Sequence, residues 1–200
     1  MTLADKVTSL RLVLAPIFFV VYLLPRFFPH WSAAAGIWTI PVLWILFTVS
    51  ELTDMLDGQL ARRRGETSDF GRLFDPFADT LTQLSCFLCF VIDEILPAPL
   101  YLLVLYREYS ILFIRNLMLK KGAAMGARIL GKVKTISYIL AVALALLSAS
   151  LTRAGAPPGP AQGLKIAAQA AFLLSVILAI LSFLDYLSVY RKTPESGEPR

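Results

Sequence analysis

Charge is scarce in this chain. Only 16% of its 200 residues are Asp, Glu, Lys or Arg, while 57% are hydrophobic; soluble domains carry about a quarter charged residues. Together with a mean hydropathy of +0.68, this deficit excludes an ordinary soluble domain and implies an integral membrane protein. Histidine is represented by His30 alone and cysteine by Cys86 and Cys89. A lone CFLC with no second pair argues against a zinc or redox centre, and the two thiols are expected to pack as small hydrophobes on one helix face. Internal repeats are also lacking, which removes support for an inverted-repeat transporter. The net charge of +5 would suggest nucleic acid in a soluble chain. Here the positive residues flank apolar runs, as the positive-inside rule and anionic lipid headgroups favour, so no nucleic-acid partner is expected.

What is present is a series of apolar runs. Each membrane crossing needs roughly 20 such residues, so the length suits one domain, residues 1–190, of six transmembrane helices, with a polar cytoplasmic tail at 191–200. The expected fold class is an all-α integral membrane protein with a short N-terminal interfacial helix. That helix leads into span one, Ser9 to Leu24; Pro25, Arg26 and the bulky FFPHW follow where a signal peptide would need small residues. Span two runs from Ala33 to Ser50, and its helix continues through Asp54 towards Arg64. Gly65, Thr67, Ser68 and Asp69 supply a turn with capping candidates, and a third helix covers Phe70 to Ile92. Span four is expected over Ile95 to Leu119, and Gly122 to Lys134 reads as a basic connection. Span five covers Thr135 to Leu151, the proline- and glycine-rich run from Arg153 reads as a loop, and span six covers Leu164 to Leu187. The tail YRKTPESGEPR is expected to be disordered. In this arrangement only Arg26, Arg153 and Lys165 of the 19 basic residues fall on one side, while nearly all the others gather opposite. Both termini and the aspartate-rich stretch are therefore expected to face the cytoplasm.

That stretch, DMLDGQLARRRGETSDFGRLFDPFAD from Asp54 to Asp79, is the default functional site, because charges between spanning runs are costly to bury. At 100° per residue, Asp54, Asp57, Gly58, Ala61 and Arg62 fall within about 140° of arc at the end of span two. Gly71, Asp75 and Asp79 follow at i+4 steps on the next helix. Two helices joined by a short turn can gather Asp54, Asp57, Asp75 and Asp79 into one pocket. Four carboxylates need cations beside them, and all-oxygen ligands suit Mg²⁺, Mn²⁺ or Ca²⁺. Two metals about 3.5 to 4 Å apart would serve phosphoryl transfer. Small residues at 58, 61 and 71 admit a ligand close to the backbone, and Arg62 can donate to phosphate. Arg63, Arg64 and Asp69 read as ordinary topology and capping residues. Asp79 lies ten residues beyond Asp69, about 15 Å along its helix, below the surface and in need of a partner.

The ordered set Asp54, Asp57, Gly58, Ala61, Arg62, Gly71, Asp75 and Asp79 resembles the signature of the CDP-alcohol phosphotransferase family, D-x-x-D-G-x-x-A-R, eight residues, then G-x-x-x-D-x-x-x-D, with every position matched. Thr8, Arg11 and Pro16 are similar to the family's N-terminal segment, with Asp5 and Val7 replacing its usual Asn and Leu. The resemblance implies a homodimeric six-helix membrane enzyme that transfers a substituted phosphate from a CDP-linked donor to an alcohol and releases CMP. It implies that Asp54, Asp57 and Asp75 bind two divalent ions, Mg²⁺ or Mn²⁺. Asp79 would adjoin them as the catalytic general base, and Gly58, Ala61, Arg62 and Gly71 would contact the CDP group.

The remaining charges bear on the acceptor. Arg107 is about 20 Å into span four, counted from Lys120, and faces either the pocket or an ionic partner such as Glu108. Arg115 is nearer the surface and can snorkel, and Lys132 and Lys134 are placed as flanking charges. Together the four can hold an acceptor that carries its own phosphate. The segments REYSILFIR and GKVKT resemble family members that use CDP-diacylglycerol and glycerol 3-phosphate, which points to a bacterial inner-membrane enzyme of phospholipid biosynthesis. Serine, inositol phosphate or phosphatidylglycerol as acceptor, or CDP-choline with diacylglycerol, are alternatives within the family. An ion-coupled transporter is the alternative from a different class, and a purely structural scaffold leaves the aspartates without a purpose.

Overall fold

In the computed structural model, residues 3–28, 32–64, 69–121 and 129–192 are described, with side chains at 8–28, 36–53, 74–119, 121 and 129–192. Six helices make up this part of the chain: α1 (Leu3–Phe27), α2 (Ser32–Arg64), α3 (Asp69–Ile92), α4 (Ala98–Lys120), α5 (Ile129–Arg153) and α6 (Pro158–Lys192). No strand occurs among the described residues. Four of the six, α1, α2, α5 and α6, contain stretches long and apolar enough to cross a membrane. α3 and α4 fall short because Asp75, Asp79 and Gln83 interrupt one and Arg107, Glu108 and Arg115 the other. Large apolar side chains such as Val20, Trp38, Ile45, Phe113 and Ile136 point outward, as lipid-facing surfaces require.

Side-chain pairs fix the direction of each helix. Thr8 bonds Asp75, Arg11 bonds Asp79 and Tyr22 bonds Asp93, at sequence separations of 67, 68 and 71, so α1 and α3 run parallel in one register. Arg107 meets Ala179 and Ser182, and Arg115 meets Tyr186, which makes α4 parallel to α6. Arg153 bonds Thr39 while Trp44 bonds Ser150, so α5 opposes α2. The starts of α1, α3 and α5 therefore lie at the same end as the last turns of α2, α4 and α6. That end carries both halves of the aspartate stretch and most of the described basic residues.

The core is aromatic in the middle and small-residue along α5 and α6. Phe87 packs edge-on to Tyr138 at 5.1 Å and against Phe172 at 4.7 Å; Cys86 and Cys89 are buried in the same cluster. Ala141, Ala145 and Ala149 are buried at successive i+4 steps of α5, and small side chains of this kind let helices approach closely. The Ser148 hydroxyl donates to the Ala161 carbonyl across the α5–α6 hairpin at 2.9 Å. Gly155, at φ 70, closes α5: its N–H bonds Thr152 O, and the Ala156 N–H reaches back to Leu151 O, a left-handed cap that satisfies end carbonyls.

Several expected boundaries shift. No separate interfacial helix precedes span one, because Leu3 to Phe27 form one helix through Pro16 and Pro25. Ile95 to Pro97 belong to the turn after α3 rather than to span four. The basic connection is shorter than expected, since Ile129 to Lys134 already form the first turns of α5 and bury Lys134 against Glu108. α6 begins at Pro158, a proline being tolerated where the first N–H has no helical partner. It also extends through Tyr190 and Arg191 to Lys192, into the expected tail. The remaining tail residues, the turn expected at 65–68 and residues 122–128 lie outside the described part.

At the opposite end, one polar cluster ties four helices together. The Tyr22 hydroxyl donates to Asp93 at 2.8 Å; Arg153 donates to Tyr22 O at 2.8 Å and to Thr39 Oγ1 at 2.9 Å, its guanidinium 4.3 Å over the Tyr22 ring. Arg153→Ala removes two hydrogen bonds from a charged donor and should cost roughly 2–4 kcal/mol, whereas Tyr22→Phe should cost about 1 kcal/mol. Thermal unfolding of both variants in the same detergent checks the order.

Candidate active site

At the aspartate end, α3, α4, α5 and α6 enclose a cavity of about 210 Å³. α3 contributes Asp79, Thr80 and Gln83, α4 contributes Arg107, Glu108 and Arg115, α5 contributes Lys132 and Lys134, and α6 contributes Tyr186. The topology explains the gathering: the start of α3 and α5 and the inner half of α4 and α6 all lie at this level. Asp79 and the four basic residues singled out in the sequence thus line one pocket.

Glu108 organises the basic wall. It is buried, and its single oxygen Oε1 accepts from Arg107 Nη1 at 2.8 Å, Lys134 Nζ at 2.9 Å and the Tyr138 hydroxyl at 3.1 Å. Arg107 also donates from Nε to Ala179 O at 3.0 Å and from Nη2 to Ser182 Oγ at 3.1 Å. The two readings of Arg107, pocket residue and ion-pair partner of Glu108, are both met. Its other contacts pin α4 to α6. Lys134 is not a solvated flanking charge but a buried one, held by Glu108 and 4.5 Å over the Tyr138 ring.

Arg115 and Lys132 are less constrained. Arg115 reaches the Tyr186 hydroxyl only at 3.4 Å. Its Nε is buried and makes no hydrogen bond among the described residues, so the guanidinium retains donor capacity at the cavity wall. Lys132 is exposed at the rim. Such a wall, with two buried cations that share Glu108, one under-satisfied guanidinium and one ammonium exposed at the rim, is suited to an anion with several oxygens.

Asp75 and Asp79 face the first turns of α1, where Thr8 Oγ1 donates to Asp75 Oδ1 at 2.7 Å and Arg11 Nη1 pairs with Asp79 Oδ1. Asp79 is not buried as expected: its side chain is 40% accessible, because the cavity opens beside it. It does have the expected partner, in Arg11. Asp54, Asp57, Gly58, Ala61 and Arg62 lie in the last turns of α2 and Gly71 in the first turn of α3, but their side chains lie outside the described residues. Among the described residues no three acidic, histidine or cysteine side chains form a metal-sized group. The contacts that sequence reasoning missed are those of Thr8, Arg11, Gln83, Tyr138 and Tyr186. Gln83 had a signal, since it continues the Gly71, Asp75, Asp79 series by another i+4 step; the two tyrosines had none.

The fold and this pocket define a helical integral membrane protein whose acidic and basic side chains converge at one end of the bundle. Comparison with known proteins sharpens that class. Residues 1–185 match the model of the CDP-alcohol phosphatidyltransferase family. Over 195 residues the chain is 36% identical to a CDP-diacylglycerol--glycerol-3-phosphate 3-phosphatidyltransferase of Treponema pallidum, covering 95% of this chain and 89% of that one. A Bacillus subtilis protein of the same name is 33% identical over 149 residues, 72% and 76% of the two chains. A CMP-forming cardiolipin synthase of Streptomyces coelicolor is 35% identical over 149 residues, 74% and 66%. The chain belongs to the CDP-alcohol phosphatidyltransferase family. It is a membrane transferase of phospholipid biosynthesis, using a CDP-alcohol donor and an alcohol acceptor.

Glu108→Ala leaves Arg107 and Lys134 buried without their counter-charge and should destabilise the protein by roughly 3–5 kcal/mol. The Glu108→Gln variant keeps an acceptor oxygen and should lose less. Denaturation midpoints of the two variants against the unmodified protein check this.

Proposed function

We propose that this enzyme transfers the phosphatidyl group of CDP-diacylglycerol to glycerol 3-phosphate, giving phosphatidylglycerophosphate and CMP. The observation that carries the reading is the cavity that brings Asp79 together with Arg107, Arg115, Lys132 and Lys134. An acceptor with its own phosphate fits a wall of four cations, and the Treponema and Bacillus relatives bear the corresponding name. Arg115 and Lys132, which have donor capacity to spare, bind the acceptor phosphate; Arg107 and Lys134 supply fixed positive charge behind them. With its phosphate held there, the acceptor presents a hydroxyl to Asp79. The carboxylate takes the hydroxyl proton, the oxygen bonds to the β-phosphorus, and the bond from that phosphorus to the bridging oxygen breaks, with CMP leaving on the electron pair. Arg62 neutralises the leaving group, while Gly58, Ala61 and Gly71 admit the CDP moiety to the backbone.

The family is generally dependent on divalent metal, and the donor set fits a hard ion, being carboxylate oxygens throughout. Asp54, Asp57, Asp75 and Asp79 would hold two Mg²⁺ or Mn²⁺ ions. The helix bounds support this, since Asp57 and Asp54 stand about 10 and 15 Å before the end of α2, and Asp75 and Asp79 about 10 and 15 Å after the start of α3. Bound there, the ions would neutralise developing phosphate charge. Six alternating helices support six membrane crossings, with α3 and α4 admitted because their polar residues face the pocket instead of lipid. We assign residues 1–190 to one domain, the following residues to a cytoplasmic tail, and the pocket with both termini to the cytoplasmic side, where the basic residues lie. A homodimer is part of the same proposal and rests on family resemblance.

Purified protein with CDP-diacylglycerol, Mn²⁺ or Mg²⁺ and a panel of alcohols should release CMP with glycerol 3-phosphate, and Asp79→Asn should abolish the release. Turnover only with serine, inositol phosphate or phosphatidylglycerol would overturn the acceptor. The Streptomyces relative makes phosphatidylglycerol the first competitor to include. CMP release that does not depend on a divalent ion would overturn the metal role of the aspartates. Arg62→Ala should weaken use of CDP-diacylglycerol. Arg115→Met should raise KM for glycerol 3-phosphate about ten-fold or more, as loss of a charged hydrogen bond of about 1.5–3 kcal/mol implies. Lys132→Ala, at the open rim, should change KM only by a factor of about two to five.

A further inference from the structure

Thr8 and Arg11 lie outside the aspartate signature, yet each touches one of its carboxylates. Both are buried, at 0% and 2% exposure, one turn apart at the start of α1. Their partners Asp75 and Asp79 are one turn apart on α3, and both contacts go to an Oδ1 atom. Register alone does not require them, because Tyr22 and Asp93 already fix α1 against α3 at the far end. Charge compensation alone accounts for Arg11 beside Asp79 but not for Thr8, a neutral donor aimed at Asp75. What the two contacts share is geometry: a carboxylate with one oxygen held by a buried donor cannot turn freely about its terminal torsion.

We infer that Thr8 and Arg11 are positioning residues, through which α1 sets the orientation of the Asp75 and Asp79 carboxylates for divalent-metal binding. The inference rests on the proposed metal role of those aspartates. Hydrogen-bond partners of metal-binding groups orient them and typically change affinity by 10–100-fold when lost. α1 is also well suited to the task, since it packs along both α2 and α3, the two helices that carry the four aspartates. Removing the Arg11 charge would by electrostatics alone tighten binding of a cation, whereas loss of positioning weakens it, so the direction of the effect separates the two.

The test is direct titration of Mn²⁺ by electron paramagnetic resonance on the full-length protein in detergent, without substrate. Thr8→Val keeps the side-chain shape and should weaken Mn²⁺ binding about ten-fold, while Thr8→Ser restores the hydroxyl and should restore affinity to within about three-fold. Arg11→Met should also weaken binding. Thr8→Val with the affinity of the unmodified protein, or Thr8→Ser as weak as Thr8→Val, overturns the role of Thr8, and tighter or unchanged binding in Arg11→Met overturns that of Arg11. If Arg11→Met does not fold, the threonine pair decides the proposal. No Mn²⁺ binding by the unmodified protein overturns the metal reading itself, and this inference with it.

Discussion

Glu108 takes three donors on a single oxygen atom in the middle of an apolar bundle, and much of the site depends on that interaction. A cation left alone in such surroundings costs several kcal/mol. Arg107 and Lys134 sit beside the cavity because Glu108 offsets most of that cost, and the Tyr138 hydroxyl completes the cluster from the core side. The same residue joins α4 to α5, while Arg107 continues the chain of contacts to α6. Pocket electrostatics and helix packing are thus one network. A change to either is felt by the other.

The two polar ends of the bundle use the same side-chain chemistry differently. At the far end, Asp93, Arg26, Arg153 and Tyr22 draw together, and the Arg153 guanidinium is spent on hydrogen bonds within the protein. At the aspartate end the helices leave a cavity, Asp79 stays accessible, and Arg115 keeps an Nε without a partner among the described residues. The first arrangement fixes helix register, and the second leaves capacity for a ligand. A buried donor left without a partner is costly, so among the described residues the contrast sets the aspartate end apart as the one with donor capacity to spare.

The i+4 series of Gly71, Asp75 and Asp79 was legible because helical periodicity projects directly onto one face. Its continuation to Gln83 was equally available. The sequence-stretch boundaries were less so: Ile129 to Lys134 read as a loop for their glycine and lysines, yet they are helical because Lys134 finds Glu108 twenty-six residues earlier in the chain. A burial argument for Asp79 gave the right partner requirement and the wrong exposure, since distance along a helix axis does not register a cavity opening beside it. Arg107 was legible as anomalous but not as shared between two roles, because its contacts at Ala179 and Ser182 are more than seventy residues away.

Composition by itself determined that this is a helical membrane protein, since so apolar a chain can satisfy its backbone in lipid only within helices or a closed barrel, and the long unalternated runs select helices. Residue identity at fixed spacing, from Asp54 to Asp79, carried the resemblance to the CDP-alcohol phosphotransferase family and through it the reaction class. Tertiary structure alone decided which distant charges share a space. It brought Lys134 to Glu108, Arg115 to Tyr186 and the start of α1 to Asp75 and Asp79. These are contacts between helices, fixed by packing and direction, and no local periodicity encodes them.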